Sequence, residues 1–212
     1  MRRTAQGFTL IEIMVVIAII AGLVTTVAVI VPKMQESQRQ TGCMNNLSQL
    51  GQIYLMEAQE NKGKAQKYSG VSLWLSYRKG SAHIKRGDER VLTCPGDNIA
   101  IPETEDDKKK WDNVDLDNPS SDLCSYAARN FKDFPPKVDS PDKEIIGCDR
   151  QGSDGKTMHH KNVIICVYEG GDAQKVSKEE LGVNTESDIA IGEAAEPKSP
   201  LKKVIYIVRK KD

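Results

Sequence analysis

The pattern of apolar and polar positions divides the chain into two parts. Residues 8–31 are uncharged and mostly apolar except for one carboxylate, Glu12, and Pro32 follows them. As a helix, a run of these 24 residues would rise about 36 Å, enough to cross a bilayer core of about 30 Å. The pattern therefore predicts a transmembrane helix over residues 8–31.

Beyond Pro32 the apolar positions favour one side of a helix. They recur at spacings of three and four, at Met44, Leu47, Leu50, Tyr54 and Ala58. Pro32 is expected to kink the helix without ending it, and a stop signal follows at residues 61–63. We predict one long helix with a transmembrane half, 8–31, and an amphipathic half, 32–61.

The first residues distinguish an anchor from a secretory signal peptide. The apolar run is too long for a cleaved signal, and the small residues Ala5 and Gly7 precede it. Arg2 and Arg3 place the N-terminus in the cytoplasm by the positive-inside rule. We expect a single-pass membrane protein whose remaining chain lies outside the cytoplasm.

Glu12 is the one charge inside the apolar run. One interpretation places it in the first helical turn, where the helix dipole favours a carboxylate. The other gives it a cationic partner, since ionisable groups in membranes are usually paired. Cleavage after Gly7 would create a new amino terminus at Phe8, and a nearby cation would then neutralise Glu12 within a bundle of such helices.

Residues 7–12, with the sequence GFTLIE, and the apolar run after them resemble the N-terminal signature of the type IV pilin superfamily, which includes the pseudopilins of type II secretion. The resemblance implies cleavage between Gly7 and Phe8 by a prepilin peptidase and N-methylation of Phe8. It also implies that Glu12 aligns subunits in a helical filament. The alternative is an ordinary signal-anchor that begins in the same way.

Residues 43–51 resemble a stretch in a bacterial group of prepilin-type proteins related to pseudopilin G. That group carries a histidine, nine residues and then Asp-Gly; this chain has His159 and then Glu169-Gly170, with Glu in place of Asp. Asn162 begins an apolar run similar to one in the group. Further matches are the Cys-Pro at 94–95 and the Ser-Tyr at 125–126.

The outer part of the chain is expected to form one domain, residues 62–185, followed by a C-terminal extension, 186–212. We predict a helix at 71–78 and strands at 90–94, 125–129, 144–148, 162–168 and 174–176. The glycines at 170 and 171 predict a hairpin turn between the last two strands. The expected fold class is α+β and pilin-like, with the long helix packed on a small antiparallel sheet with long loops.

Two polar segments have alternative interpretations. Residues 103–122 are predicted to be a solvated surface loop. The alternative is calcium binding by oxygen ligands from Asp112, Asp115, Asp117 and Asp122. Apart from this possible calcium site, no cofactor is expected. In the tail, residues 204–208 are apolar and flanked by lysines, which favours an edge strand over a contact surface for another subunit.

Five cysteines lie outside the predicted membrane span, at Cys43, Cys94, Cys124, Cys148 and Cys166. A disulfide between Cys94 and Cys124 would close the acidic loop at its base, and we predict that pairing. The odd number leaves at least one thiol unpaired or intermolecular. Cys166, in an apolar strand, is expected to be a buried hydrophobic residue. Their spacing along the chain does not indicate a zinc site.

Charge and motif content exclude other function classes. The formal net charge is zero, and no stripe of basic and aromatic residues indicates nucleic acid binding. His159 and His160 are adjacent, but no nucleophile, metal or orienting group is indicated beside them, so we expect no enzyme activity. We interpret His159 as a structural residue that hydrogen-bonds toward Glu169.

The favoured hypothesis is a structural subunit of a filament in the inner membrane, most consistent with a type II secretion pseudopilus. Its expected partners are copies of itself, other pseudopilins, the prepilin peptidase, an inner-membrane assembly platform and, before assembly, membrane lipid. One alternative is a pilin of an adhesive or DNA-uptake pilus. Another is a membrane-tethered module that binds metal or ligand through His159 and Glu169.

Overall fold

A computed structural model describes residues 8–61, 66–79, 83–97, 104–120, 123–135, 144–151, 157–158, 160, 163–181, 191, 195 and 199–205. The chain divides into two compact units, residues 1–38 and 39–212. The predicted processing site at Gly7, and the motif residues His159 and Asn162, lie outside the described residues.

Helix α1 runs from Leu10 to Glu60 and continues through Pro32. Among the described residues it is the one helix that is long and apolar enough to cross a membrane. In the first unit its apolar side chains, from Leu10 to Val31, are exposed. The described part of that unit, from residue 8 onwards, does not cover them.

In the second unit α1 is one-sided, as its sequence predicts. Cys43, Leu47, Leu50 and Tyr54 are buried, at spacings of four, three and four residues. Gly51 lies on this face against the turn that ends the longest strand: a Cβ at position 51 would lie 2.8 Å from the Cα of Gly171. The buried face therefore packs on the sheet at very short range.

The sheet is antiparallel and has five described strands in the order β6-β5-β2-β1-β7. Their bounds are β1 Ala127–Arg129, β2 Ile145–Cys148, β5 Val163–Tyr168, β6 Ala173–Ser177 and β7 Val204–Ile205. A separate pair, β3 Arg150–Gln151 and β4 Thr157–Met158, is also antiparallel. The predicted α+β class is confirmed: a long N-terminal helix combines with a small antiparallel sheet, as in a pilin-like fold.

The turn between β5 and β6 is the predicted hairpin. Gly171 has a φ of 77°, which favours glycine, and the Tyr168 N–H donates to the Asp172 carbonyl at 3.0 Å. Five residue pairs, from Val163↔Ser177 to Val167↔Ala173, continue the pairing. The Ser48 hydroxyl of α1 donates to the Gly171 carbonyl at 3.2 Å. The hairpin is thus attached to the helix at its tip.

Two of the predicted elements are wrong. Residues 90–94 do not form a strand: Glu89–Leu92 is a 3-10 helix, in which the Thr93 N–H donates to the Arg90 carbonyl. The segment predicted as a loop contains α3, Glu105–Asp112. Trp111 of α3 is 2% exposed. Burial of this one large side chain fixes a helix whose remaining sequence is charged.

Helix α2, Val71–Lys79, confirms the predicted short helix and is buried almost throughout. Its Trp74 indole N–H donates to the Ala127 carbonyl of β1 at 3.1 Å. Gly147 of β2 makes room for this ring, since a Cβ there would lie 2.5 Å from Cζ2 of Trp74. The strand register also shifts between Ile145 and Gly147.

The C-terminal tail contributes to the sheet. Val204 pairs with Arg129 and is fully buried, and among the described strands β7 lies at the edge of the sheet beside β1, as predicted for the start of the run 204–208. Residues 206–208 lie outside the described residues. The Lys203 ammonium lies 2.7 Å from Glu144 Oε1, and Arg129 Nη2 lies 2.5 Å from Glu144 Oε2. These ion pairs connect the tail and β1 to Glu144, the residue directly before β2.

Candidate functional site

The start of α1 carries the first group of candidate residues. The backbone N–H and the hydroxyl of Thr9 both donate to Glu12 Oε2, at 2.7 and 2.8 Å. The Glu12 N–H donates in turn to the Thr9 hydroxyl at 3.3 Å. This reciprocal arrangement is a capping box, which satisfies N–H groups at a helix start. In the single subunit Glu12 therefore caps its own helix, next to an exposed Phe8.

The second group lies in the core of the second unit, residues 39–212, which we call the outer unit. Cys43 of α1, Cys94 after the 3-10 helix and His160 before β5 place their ligand atoms within 4.8 Å of one another. All three side chains are buried, at 0%, 2% and 1% exposure. Residues from three distant parts of the chain thus meet at one point, which we call the Cys-His cluster.

Helix α1 positions the first member of the Cys-His cluster. Asn46, one turn after Cys43, donates through Nδ2 to the carbonyls of Arg90 and Thr93, at 3.1 and 2.8 Å. These bonds hold the 3-10 segment against the helix just before Cys94. Thr93 O also accepts from the buried Tyr126 hydroxyl at 3.1 Å.

A tight turn positions Cys94. The Asp97 N–H donates to the Cys94 carbonyl at 2.9 Å, and the Gly96 N–H donates to Cys94 Sγ at 3.4 Å. The Ser125 hydroxyl accepts from the Cys94 N–H at 2.9 Å and donates to Asp97 Oδ2 at 2.7 Å. The turn therefore directs an N–H at the sulfur and fixes its backbone from the side of β1.

His160 completes the Cys-His cluster from the opposite side. Its Nε2 lies 3.3 Å from Cys94 Sγ and 3.8 Å from Asp149 Oδ2. Asp149 is fully buried, and its Oδ1 accepts the Ile165 N–H of β5 at 2.7 Å. This backbone bond orients the second carboxylate oxygen towards the histidine.

The two sulfurs of the Cys-His cluster differ in acidity. A hydrogen bond from Cys43 lowers the pKa of Cys94 to about 5, with further contributions from His160 and the Gly96 N–H, and burial opposes them. Burial, together with the hydrogen bond to Cys94, raises the pKa of Cys43 well above its ordinary value. The arrangement favours a thiolate at Cys94 that accepts from a thiol at Cys43.

The structure does not form the predicted disulfide between Cys94 and Cys124, because it holds each side chain as a thiol. Their sulfurs have different partners. Cys94 Sγ faces His160 Nε2, whereas Cys124 Sγ donates to the Tyr126 carbonyl at 3.7 Å. Cys166 is fully buried in β5, as expected.

The remaining candidates are separate from the Cys-His cluster. Glu169 and Gly170 form the turn after β5, and His160 lies before that strand, so six residues of extended chain separate the two ends. In the acidic segment, Asp112 Oδ1 lies 2.5 Å from the Arg78 guanidinium, and Asp115 Oδ1 accepts the Asp117 N–H. Asp122 lies outside the described residues.

Three of the sequence patterns noted for their resemblance to a prepilin-type group converge on the Cys-His cluster. Residues 43–51 supply Cys43 and Asn46, the Cys-Pro pair supplies Cys94, and the Ser-Tyr pair supplies two of the hydrogen bonds around it. The contributions of His160 and Asp149 were not predicted. Their signal in the sequence is weak, since neither has a second ligand-type residue at a spacing typical of metal sites.

Comparison with family models gives a match at the N-terminus. Residues 2–28 match the prokaryotic N-terminal methylation motif. This motif is the type IV pilin-like prepilin signal; it implies processing by prepilin peptidase and assembly into a pilin-type filament. With the apolar helix after it, the motif supports anchoring in a membrane through the N-terminus. Comparison with curated proteins gives no match, and comparison with solved structures gives none.

Proposed function

We propose that this chain is a structural subunit of a type IV pilus-like filament and has no enzyme activity. The main support is the methylation motif over residues 2–28, which overlaps the start of helix α1. In this proposal prepilin peptidase cleaves after Gly7, and Phe8 becomes the methylated N-terminus. The outer unit then decorates a core built from the N-terminal helices.

The exposed apolar surface of the first unit supports a pathway with two stages, insertion in the membrane and then assembly into the filament. The large apolar side chains along residues 10–31 are exposed. Burying each large one stabilises by about 1.5–3 kcal/mol relative to exposure to water. The inner membrane covers this surface before assembly, and neighbouring helices cover it in the filament.

In this proposal Glu12 has one partner in the single subunit and another in the assembled filament. In the single subunit its carboxylate accepts two hydrogen bonds from Thr9. After cleavage, the amine of Phe8 on a neighbouring subunit offers a full positive charge in a medium of low dielectric, where a charge pair is stronger. The Glu12 carboxylate would thus give up its hydrogen bonds from Thr9 and pair with the Phe8 amine of a neighbouring subunit. This pairing would fix the position of each incoming subunit along the filament axis.

Within filament proteins, we favour the type II secretion pseudopilus. The support is the resemblance of residues 43–51, of the Cys-Pro and of the Ser-Tyr to proteins related to pseudopilin G. Other pseudopilins and an inner-membrane assembly platform would then be partners. A pilin of an adhesive or DNA-uptake pilus is the second candidate, since it would carry the same N-terminal motif.

The proposal is tested first by the mass of the mature chain. Coexpression with a prepilin peptidase should give a protein that begins at Phe8 and carries one added methyl group. Without the peptidase, the chain should retain Met1 and its leader. A chain that keeps its leader in the presence of an active peptidase would exclude the proposed processing.

Assembly is tested with two variants that separate charge from capping. Glu12→Gln keeps an oxygen that accepts from Thr9 but removes the charge, so we expect membrane insertion without filaments. Thr9→Ala keeps the charge and removes the cap, at a cost of about 1 kcal/mol to the helix, so we expect filaments to form. Normal filaments from Glu12→Gln would contradict the role of the carboxylate.

A further inference from the structure

The Cys-His cluster has the composition of a metal site. Thiolate and imidazole are the ligands that zinc prefers in structural sites, where four ligands surround the ion. Among the described residues, Cys43, Cys94 and His160 form the group in which three potential ligand atoms lie within 4.8 Å of one another. The ligands come from a helix, a turn and the approach to a strand.

The separation of Cys94 and His160 fits a tetrahedral ion. Bond lengths of about 2.3 Å to sulfur and about 2.0 Å to nitrogen place ligand atoms about 3.5 Å apart for a sulfur-nitrogen pair. Cys94 Sγ and His160 Nε2 are 3.3 Å apart. Small shifts of these side chains would therefore complete the coordination.

Asp149 lies beside His160 but outside the group of three whose ligand atoms all lie within 4.8 Å of one another, so its carboxylate would have to move towards the sulfurs to become the fourth ligand. Its Oδ2 lies 3.8 Å from His160 Nε2, against about 3.4 Å for a nitrogen-oxygen edge of a zinc tetrahedron. Its Oδ1 is held by the Ile165 N–H, which leaves Oδ2 directed at the histidine. Outer hydrogen bonds of this kind orient metal ligands.

The surroundings also favour thiolate ligands. The Gly96 N–H donates to Cys94 Sγ, and such donation stabilises the charged sulfur. Gly42, next to Cys43, allows Pro95 to approach the helix. The backbone therefore brings the two cysteines together without a covalent bond between them, since both are free thiols.

We propose that Cys43, Cys94 and His160, with Asp149 as fourth ligand, bind one zinc ion that joins α1 to the sheet of the outer unit. Zinc binds both cysteines as thiolates, so binding releases to solvent the protons that the two thiols carry. With four protein ligands and full burial, the ion has a structural role. The inference goes beyond the proposed filament function and does not rest on it.

The test uses the full-length chain, purified in detergent without chelators, and measures zinc by elemental analysis. We expect one zinc per chain in the wild type. Cys43→Ser and Cys94→Ser should each lower the zinc content at least about tenfold. Cys124→Ser, which changes another fully buried thiol outside the cluster, is the matched control and should keep its zinc. Equal zinc in all three variants would overturn the proposal.

A second measurement remains informative if the serine variants fail to fold. Wild-type protein is stripped with a chelator under reducing conditions and titrated with Co²⁺. Thiolate ligands should give a charge-transfer absorption that saturates at one equivalent and is reversed by Zn²⁺. Absence of this absorption would overturn the proposal. So would a Cys43–Cys94 disulfide found by peptide mass mapping in the protein as first purified, before any metal is removed.

Discussion

Gly42 of α1 lies directly against Pro95: a Cβ at position 42 would lie 2.9 Å from Cγ of the proline. The two residues precede and follow Cys43 and Cys94, respectively, so their contact sets how closely the helix and the turn approach. The helical backbone at position 42 would accept any common residue. Glycine is needed there only because a side chain would clash with Pro95.

Gly42→Ala should destabilise the outer unit. Crowding the proline ring costs about 1–3 kcal/mol, whereas replacing a helical glycine by alanine returns about 1 kcal/mol. We therefore expect a net loss of about 1 kcal/mol in the free energy of unfolding. Tryptophan fluorescence during urea unfolding measures it, because Trp74 and Trp111 are both buried in the outer unit.

Gly22→Ala is the matched control for the change at Gly42. It makes the same change on α1, but a Cβ there meets nothing within 4 Å. Its unfolding midpoint should be no lower than that of the wild type, because the added methyl group favours the helix and clashes with nothing. A Gly42→Ala midpoint at or above the wild-type value would show that Pro95 moves aside without cost.

Asn46→Ala should also weaken the outer unit. It removes two hydrogen bonds from α1 to the carbonyls of Arg90 and Thr93, and a hydrogen bond contributes about 0.5–1.5 kcal/mol. Because both carbonyls accept from other groups as well, we expect a loss near about 1 kcal/mol in the same urea experiment. Asn45→Ala, at the exposed neighbouring position, should be neutral. Equal losses in the two variants would contradict the anchoring role of Asn46.

Much of the fold could be predicted because long-range packing agrees with local pattern in its main elements. The apolar run, the three- and four-residue spacing in α1 and the glycine turn at residue 171 each specify one structure. The strand predicted at 90–94 fails for a physical reason. Its residues include the β-branched Val91 and Thr93, which favour a strand. The side chains of Asn46 and Ser125, however, supply partners for the backbone there, and no neighbouring strand is needed.

The candidate site could be predicted only in part. The N-terminal residues form a contiguous motif, so Phe8 and Glu12 could be identified from sequence. Members of the Cys-His cluster are 51 and 66 residues apart, and no short spacing reveals them. The predicted Cys94–Cys124 pair followed from proximity along the chain, whereas packing of α1 on the turn decides which thiols meet.

The unfolding free energy should depend on pH through two opposing carboxyls. Burial would raise the pKa of Glu144, but Lys203 and Arg129 outweigh it, so this pKa lies below its ordinary value of 4.5. Glu144 therefore stabilises the fold above pH 4.5, and that stability is lost as the pH falls through its folded pKa. Burial and the charge of Glu144 raise the pKa of Glu169, which acts in the opposite direction.

Glu169→Gln should therefore raise stability at neutral pH and steepen its loss on acidification. The substitution removes a carboxylate whose charge is unfavourable near Glu144. It also removes the gain in stability that protonation of Glu169 would give on acidification, so the loss of stability from protonation of Glu144 is no longer offset. Urea midpoints measured from pH 7 down to about pH 3, across the ordinary range of Glu, provide the profile. Glu179→Gln, an exposed carboxylate in the next turn, is the control. Identical profiles for the two variants would contradict the assignment.

The C-terminal tail is predicted to be part of the fold. Leu201 is fully buried in the 3-10 helix Pro200–Lys203, directly before β7. Leu201→Ala should cost about 2–5 kcal/mol of unfolding free energy, the range for truncating a buried leucine. Lys202→Ala changes the exposed neighbour and should be neutral. If the tail instead served as a contact surface for another subunit, Leu201→Ala would leave urea unfolding of the single chain unchanged and impair only assembly. The burial of Val204 beside β1 argues for the first outcome, because a tail held that deeply has its contacts within its own subunit.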